Sequence, residues 1–124
     1  MKSAIVVLSD PGSGSEEALG RVYNALAAAY DFEQRGDEVT LLFQGAGTRW
    51  PAQLSKADHP AHELFKQVEG LVAGVSSGCA DVFDARDDAQ AAGFDLINDN
   101  PVPGTSGLPS MRRLLSEGYA VLTF

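Results

Sequence analysis

Positive charge is scarce in this chain. Nine Lys and Arg stand against seventeen Asp and Glu, a formal net charge of -8 over 124 residues. Recognition of phosphate needs a basic surface, so this balance argues against a nucleic-acid or anionic-membrane partner. Cysteine is scarcer still. Cys79 stands alone, which excludes an intrachain disulfide and any site built on paired cysteines. The two histidines, His59 and His62, share a helix face at i, i+3 but lack a third ligand at suitable spacing. Capping or surface roles are therefore expected of them, with no metal and no resident cofactor. The apolar run Ala4 to Leu8 breaks at Asp10 and Pro11, too short for a secretory h-region or a membrane span. The expectation is an acidic, cytoplasmic protein in a reducing compartment.

What is present fits one ordinary domain, residues 1–124, with 44% hydrophobic and 21% charged residues. Ala4 to Leu8 (AIVVL) is a continuous apolar run, the mark of a strand buried on both faces. A turn cluster, Ser9 to Ser15, leads into a long helix. Its expected apolar face is Leu19, Val22, Tyr23, Leu26 and Tyr30, with Ser13 and Glu16 at capping-box spacing and Gly36 at its end. Glu38 to Phe43 is a second strand, and Gln44 to Asp58 reads as a long connection.

His59-Pro60 is expected to open the next helix, with Leu64, Phe65 and Val68 as its apolar side. Leu71 to Val75 is the third strand, and Ser76-Ser77-Gly78-Cys79 turns into a helix carrying Val82, Phe83 and Ala89. Phe94 to Ile97 reads either as a short fourth strand or as part of a Pro- and Gly-rich loop that continues over Asn98 to Gly107. A helix is expected over Leu108 to Glu117 packing Leu108, Met111, Leu114 and Leu115, and a closing strand over Tyr119 to Phe124. Strands alternating with helices imply a parallel sheet of four or five strands with helices on both faces, a three-layer, flavodoxin-like α/β domain.

In such sheets a ligand site lies beyond the carboxyl ends of the strands. That rule selects Ser9 to Ser15, Gln44 to Trp50 and Ser76 to Cys79. Cys79 opens a helix, where unpaired N–H groups and the dipole favour a thiolate, the nucleophilic form. Asp81 and Asp84 oppose this, and the alternative is a small buried hydrophobe. Gly12, Ser13, Gly14 and Ser15 form a candidate anion loop at a helix N-terminus. Asp10, Glu16 and Glu17 would repel the anion, so the other reading is a tight turn with a cap. Arg112 and Arg113 are expected in ion pairs.

Asp10-Pro11 after the first strand, the alanine-rich helix, the lone Cys79 after the third strand and the ending Glu117-Gly118-Tyr119-Ala120-Val121-Leu122-Thr123-Phe124 together resemble the DsrE/DsrF-like family of small sulfur-relay proteins. The resemblance implies a compact parallel α/β fold and homo- or hetero-oligomers. It also implies a cysteine that carries persulfide sulfur between donor and acceptor proteins. Cys79 is the residue carried over, with Ser76, Ser77 and Gly78 beside it as candidate substrate contacts. Many active members keep a basic or Arg-Gly pattern soon after the cysteine, and here Arg86 is the nearest base, beyond two aspartates.

Two other functions compete: a small-ligand module using the glycine-serine loop, and a non-catalytic oligomer in which the cysteine is structural. Trp50, Phe65 and Phe94 lie in or beside loops and short elements, more aromatic surface than one small core is expected to bury. A homo-oligomer, trimer or trimer-based hexamer, is expected from them and from the resemblance.

Overall fold

The computed structural model describes all residues, Met1–Phe124. Five strands form one parallel sheet: β1 (Lys2–Val7), β2 (Glu38–Phe43), β3 (Val72–Ser76), β4 (Leu96–Ile97) and β5 (Ala120–Thr123). The spatial order is β4-β3-β2-β1-β5. Six helices connect them: α1 (Glu16–Gln34), α2 (Trp50–Leu54), α3 (His62–Val68), α4 (Ser77–Val82), α5 (Arg86–Ala91) and α6 (Met111–Ser116). The expected α/β architecture is present, with the fourth strand formed over two residues.

The strand order dictates where the helices go. The steps β1 to β2 to β3 to β4 all move the same way along the sheet. Right-handed crossovers therefore put α1 through α5 on one face. The last connection runs back across the sheet to β5 and carries α6 to the other face. Alternation along the strands feeds both layers. Ile5, Val7, Leu41, Phe43 and Val75 join the larger core, with Val22, Leu26, Leu54 and Phe65 from the helices. Ala4, Val6 and Leu42 face the other way and pack with Leu114 of α6.

Local chemistry moves several boundaries from their expected places. The α1 N-cap is Ser15, whose Oγ accepts from Ala18 N–H at 3.0 Å, and not Ser13, whose hydroxyl donates to the Asp10 carbonyl. The buried face of α1 is Ala18, Val22, Ala25, Leu26 and Ala29, while Tyr23 and Tyr30 are 45% and 40% exposed. Alanine lets the helix axis approach the sheet closely, and the tyrosines have no room beneath it. The connection after β2 is itself ordered, as a 3-10 turn Gly45–Arg49 followed by α2. His59 does not open a helix; its Nδ1 accepts from Ala61 N–H, and α3 starts at His62.

The expected helix through Val82 and Ala89 is two helices. Asp84 between them has φ 52°, and the bonds Asp84 N–H to Asp81 O and Ala85 N–H to Ala80 O close α4 as a Schellman turn. The last helix is shorter than expected because Ser110 caps it by accepting from Arg113 N–H. Leu108 instead pairs with Asn100, and Leu115 is exposed. Trp50 and Phe65 are buried, and Phe94 packs against Phe65 with ring centroids 5.9 Å apart. The single core therefore absorbs the aromatics taken as surplus, and they give no support to an oligomer.

Gly47 fixes how the 3-10 turn sits on β1. A Cβ there would lie 2.3 Å from the Val7 carbonyl oxygen and 3.0 Å from its carbon, both backbone atoms that cannot swing aside. Gly47→Ala is expected to cost about 2 kcal/mol by forcing this contact apart. A urea unfolding midpoint unchanged from wild type at equal slope would show the contact to be unimportant.

Candidate functional site

Three loops meet at the carboxyl ends of the strands, and one arginine ties them. Arg49 Nη1 donates to Asp10 Oδ1 at 3.1 Å, in the loop after β1. Its Nε donates to the Phe83 carbonyl at 3.1 Å, at the end of α4, and its guanidinium stacks 5.6 Å from the Phe83 ring centroid. Trp50 adds a second tie, with Nε1–H donating to the Ser9 carbonyl at 2.8 Å and its hydroxyl at 3.1 Å. The regions selected from sequence thus form one surface. Arg49 itself carried no local signal, since its partners lie 39 and 34 residues away.

Cys79 sits in the first turn of α4, half-buried and free. Ser76 is wholly buried, and its Oγ accepts from Cys79 N–H at 3.3 Å, which caps the helix. Ser77 turns the other way. Its hydroxyl lies 2.8 Å from that of Ser106 and accepts from Arg86 Nη2 at 2.8 Å. Arg86 also forks onto Asp81, with Nε to Oδ1 at 2.6 Å and Nη2 to Oδ2 at 3.2 Å, and Ser106 donates to Asp81 Oδ2 at 2.6 Å. Hydrogen bonds from Arg86, then from Ser106, hold the Asp81 carboxyl below its usual range.

This cluster fastens the segment 98–110 onto α4. Gly78 is the point of contact. Its N–H donates to Gly107 O at 2.7 Å, and a Cβ there would meet Leu108 Cδ1 at 2.8 Å and Gly107 O at 3.2 Å. Gly78 therefore serves close packing against the segment. Of the two carboxylates set against Cys79, Asp84 makes no ion pair, while the objection from Asp81 weakens. Asp81 is two residues on, so it does not share the cysteine's helix face, and its charge is matched by Arg86. Gln44 follows β2 just beyond the register pair Phe43–Val75, where β3 reaches Ser76. Its Nε2 is buried with no hydrogen-bond partner.

Cys79 does not line the cleft beside the glycine-serine loop. Residues of this loop line a cleft of about 370 Å³ beside β1 and β5, where the strand order reverses. Ser9, Ser13, Ser15 and Arg21 are in its wall, with Asp10 and Glu17. The four amides of Gly12 to Ser15 are all spent locally. Gly12 N–H donates to Asp10 Oδ1, Ser13 N–H to Asp10 O, Gly14 N–H to Pro11 O and Ser15 N–H to Ser13 Oγ. As folded, the loop leaves no amide among these four to cradle an anion.

Neither histidine is hydrogen-bonded to Cys79. His62 Nδ1 is 2.8 Å from the Leu54 carbonyl and His59 stands edge-on to Trp50. No three His, Cys, Asp or Glu side chains are grouped to hold a metal ion. Arg113 is ion-paired as expected, to Asp99 at 2.6 Å and Glu117 at 2.9 Å, but Arg112 makes no ion pair. No helix is long and apolar enough to cross a membrane.

Comparison with known proteins adds the following. The sequence profile described as the DsrE/DsrF-like family matches residues 1–124. An uncharacterized protein of Methanocaldococcus jannaschii is 25% identical over 99 residues, covering 80% of this chain and 76% of that one. No solved structure matches the chain.

The Asp81 cluster has a pH signature. A carboxylate with a depressed pKa adds stability above its unfolded value of about 3.9 and loses it as pH falls through the folded value. Hydrogen-exchange protection of the Gly78 amide, which reports on the seating of 98–110, should hold at neutral pH and fall on acidification below about pH 4. In Asp81→Asn it should already be reduced at pH 7 and respond little to acid. Equal protection in the two proteins at pH 7 would mean that the cluster does not hold the segment.

Proposed function

The chain belongs to the DsrE/DsrF-like family, and on that footing we propose that it is a sulfur-relay protein that carries sulfane sulfur on Cys79. The carrying observation is a free, half-buried thiol in a capped first helical turn at the carboxyl end of β3. The Cys79 thiolate attacks the outer sulfur of a donor persulfide. The donor's S–S bond breaks, the donor leaves as its thiolate, and Cys79 becomes a persulfide. An acceptor thiolate then attacks that outer sulfur and Cys79 leaves as thiolate again. Sulfur passes on with no net oxidation, so the cycle needs no redox cofactor, only donor and acceptor proteins.

Supporting features surround the thiol. Ser76 fixes the backbone under Cys79, and the Ser77, Asp81, Arg86 and Ser106 cluster holds the helix against the segment 98–110. The Gln44 amide at the end of β2 is a buried donor left without a partner. Val82, one turn after Cys79, is 73% exposed, an apolar side chain for a partner protein to cover. The relay reading carries assembly with it, as a homotrimer or trimer-based hexamer. Support comes from family kinship and from exposed Val82, Leu115 and Leu122, the last on edge strand β5.

Incubation with inorganic polysulfide followed by intact-protein mass spectrometry tests the chemistry. Wild type should gain sulfur that dithiothreitol removes, and Cys79→Ser should gain none. Wild-type protein that gains no sulfur sinks the relay reading. Light scattering tests assembly separately: one 13.1 kDa chain across a micromolar dilution series would overturn the trimer.

A further inference from the structure

A second cleft, of about 300 Å³, lies between the start of α1 and the segment that follows α2. Its volume is at the lower end for small-molecule sites, and its make-up matches them: apolar walls with a few converging polar groups. Pro11, Leu19, Trp50 and Pro60 supply the walls. Gln53 and His59 bring polar side chains, and Glu16 stands at the rim. Trp50 has no donor left to offer, because its N–H is spent on Ser9.

His59 does have one. Ala61 N–H donates to its Nδ1 at 3.1 Å, so that nitrogen carries the lone pair. Burial is the largest effect on this ring and lowers its pKa, against the opposing pull of Asp58. The ring is therefore neutral at pH 7, and its single proton sits on Nε2. The Nε2–H makes no hydrogen bond within the protein. The ring is held in place from the side, 6.0 Å from Trp50 and nearly perpendicular to it at 84°. A fixed donor beside apolar walls calls for a ligand with an acceptor and a flat apolar body.

Charge narrows the class further. Glu16 lines the cleft and Asp58 adjoins His59, so an anion is repelled. An alkylammonium group carries no lone pair for the His59 donor. We propose that this cleft binds a small, neutral, planar-ring molecule whose carbonyl or ring acceptor takes the His59 Nε2–H. The ring lies against Trp50, Leu19 and Pro60. The site is separate from Cys79, which does not line the cleft, and it stands whether or not the chain carries sulfur.

Trp50 is the only tryptophan and lines this cleft, so its fluorescence reports on binding there. Benzamide is the probe, with benzoate and benzylamine as charged counterparts. Benzamide should change the emission saturably, with a dissociation constant of the order of 1 mM, as befits a ligand of this size. Both charged analogues should bind more weakly. His59→Phe keeps a ring but removes the donor, and should weaken benzamide about fivefold or more. In wild-type protein, nitrogen NMR should show His59 Nε2 shifting on benzamide addition while His62 stays still. That measurement needs no variant to fold. No emission change up to the solubility limit overturns the proposal. So does an unmoved His59 resonance, equal affinity in folded His59→Phe, or tighter binding of either charged analogue.

Discussion

The handedness of the crossovers is the constraint from which the rest of this structure follows. Three successive right-handed steps from β1 to β4 leave α1 through α5 no choice but one face of the sheet. The chain must then return past β3, β2 and β1 to place β5 at the far edge. The return crosses the opposite face and brings α6 with it. It also drapes 98–110 over α4, where Gly78 leaves room for Gly107 and Leu108. The surroundings of Cys79 are thus set by topology as much as by neighbouring sequence. A different strand order would take that segment elsewhere and leave Ser77, Asp81 and Arg86 without Ser106.

An acidic chain with few cations has to place them with care. Arg49, Arg86 and Arg113 each join segments that are distant in sequence, and each meets a carboxylate of the opposite segment or turn. Such partly exposed pairs contribute about 0–1 kcal/mol apiece to stability. Their larger effect is geometric. A guanidinium fork fixes two directions at once, and Arg49 uses it to hold the Asp10 loop and the end of α4 in one frame. Arg86 likewise spans Asp81, Ser77 and Ser106. The excess negative charge stays on solvated surface, in Glu16, Asp87 and Asp88.

The parts of the fold written in short-range pattern were legible. Apolar runs located β1, β2, β3 and β5, and Glu38 to Phe43 was placed to the residue, because buried parallel strands are continuous in hydrophobicity. The position of Cys79 after β3 was legible for the same reason. What escaped depended on contacts across the chain. A periodic count favoured Tyr23 and Tyr30 for the face of α1, since size reads as hydrophobicity. The close approach to the sheet selected alanine instead. Asp84 in a left-handed turn ended a helix that no glycine or proline marked. Gln44 and Arg49 lay inside the loop selected after β2, but the bonds Arg49 makes there, and the place of Ser106 beside α4, depend on residues far away in sequence.

The carboxyl-end surface therefore holds two places of different chemistry, and Arg49 is what they share. Around Cys79 the protein offers a buried cap, a matched charge cluster and an exposed Val82, the arrangement on which the relay proposal rests. Around His59 it offers apolar walls and one fixed donor, which suits a small flat molecule. Arg49 holds Phe83 O at the end of α4 with one nitrogen, and Asp10 with another. Asp10 begins the turn whose Pro11 and Ser15 line the His59 cleft. Coupling between two sites requires an element with two arrangements that both sites bias. A rigid clamp does the opposite. With Nε and Nη1 both engaged and the ring of Phe83 beneath it, Arg49 shows a single arrangement that ties the end of α4 to the Asp10 turn, which is the part of a clamp and not of a switch.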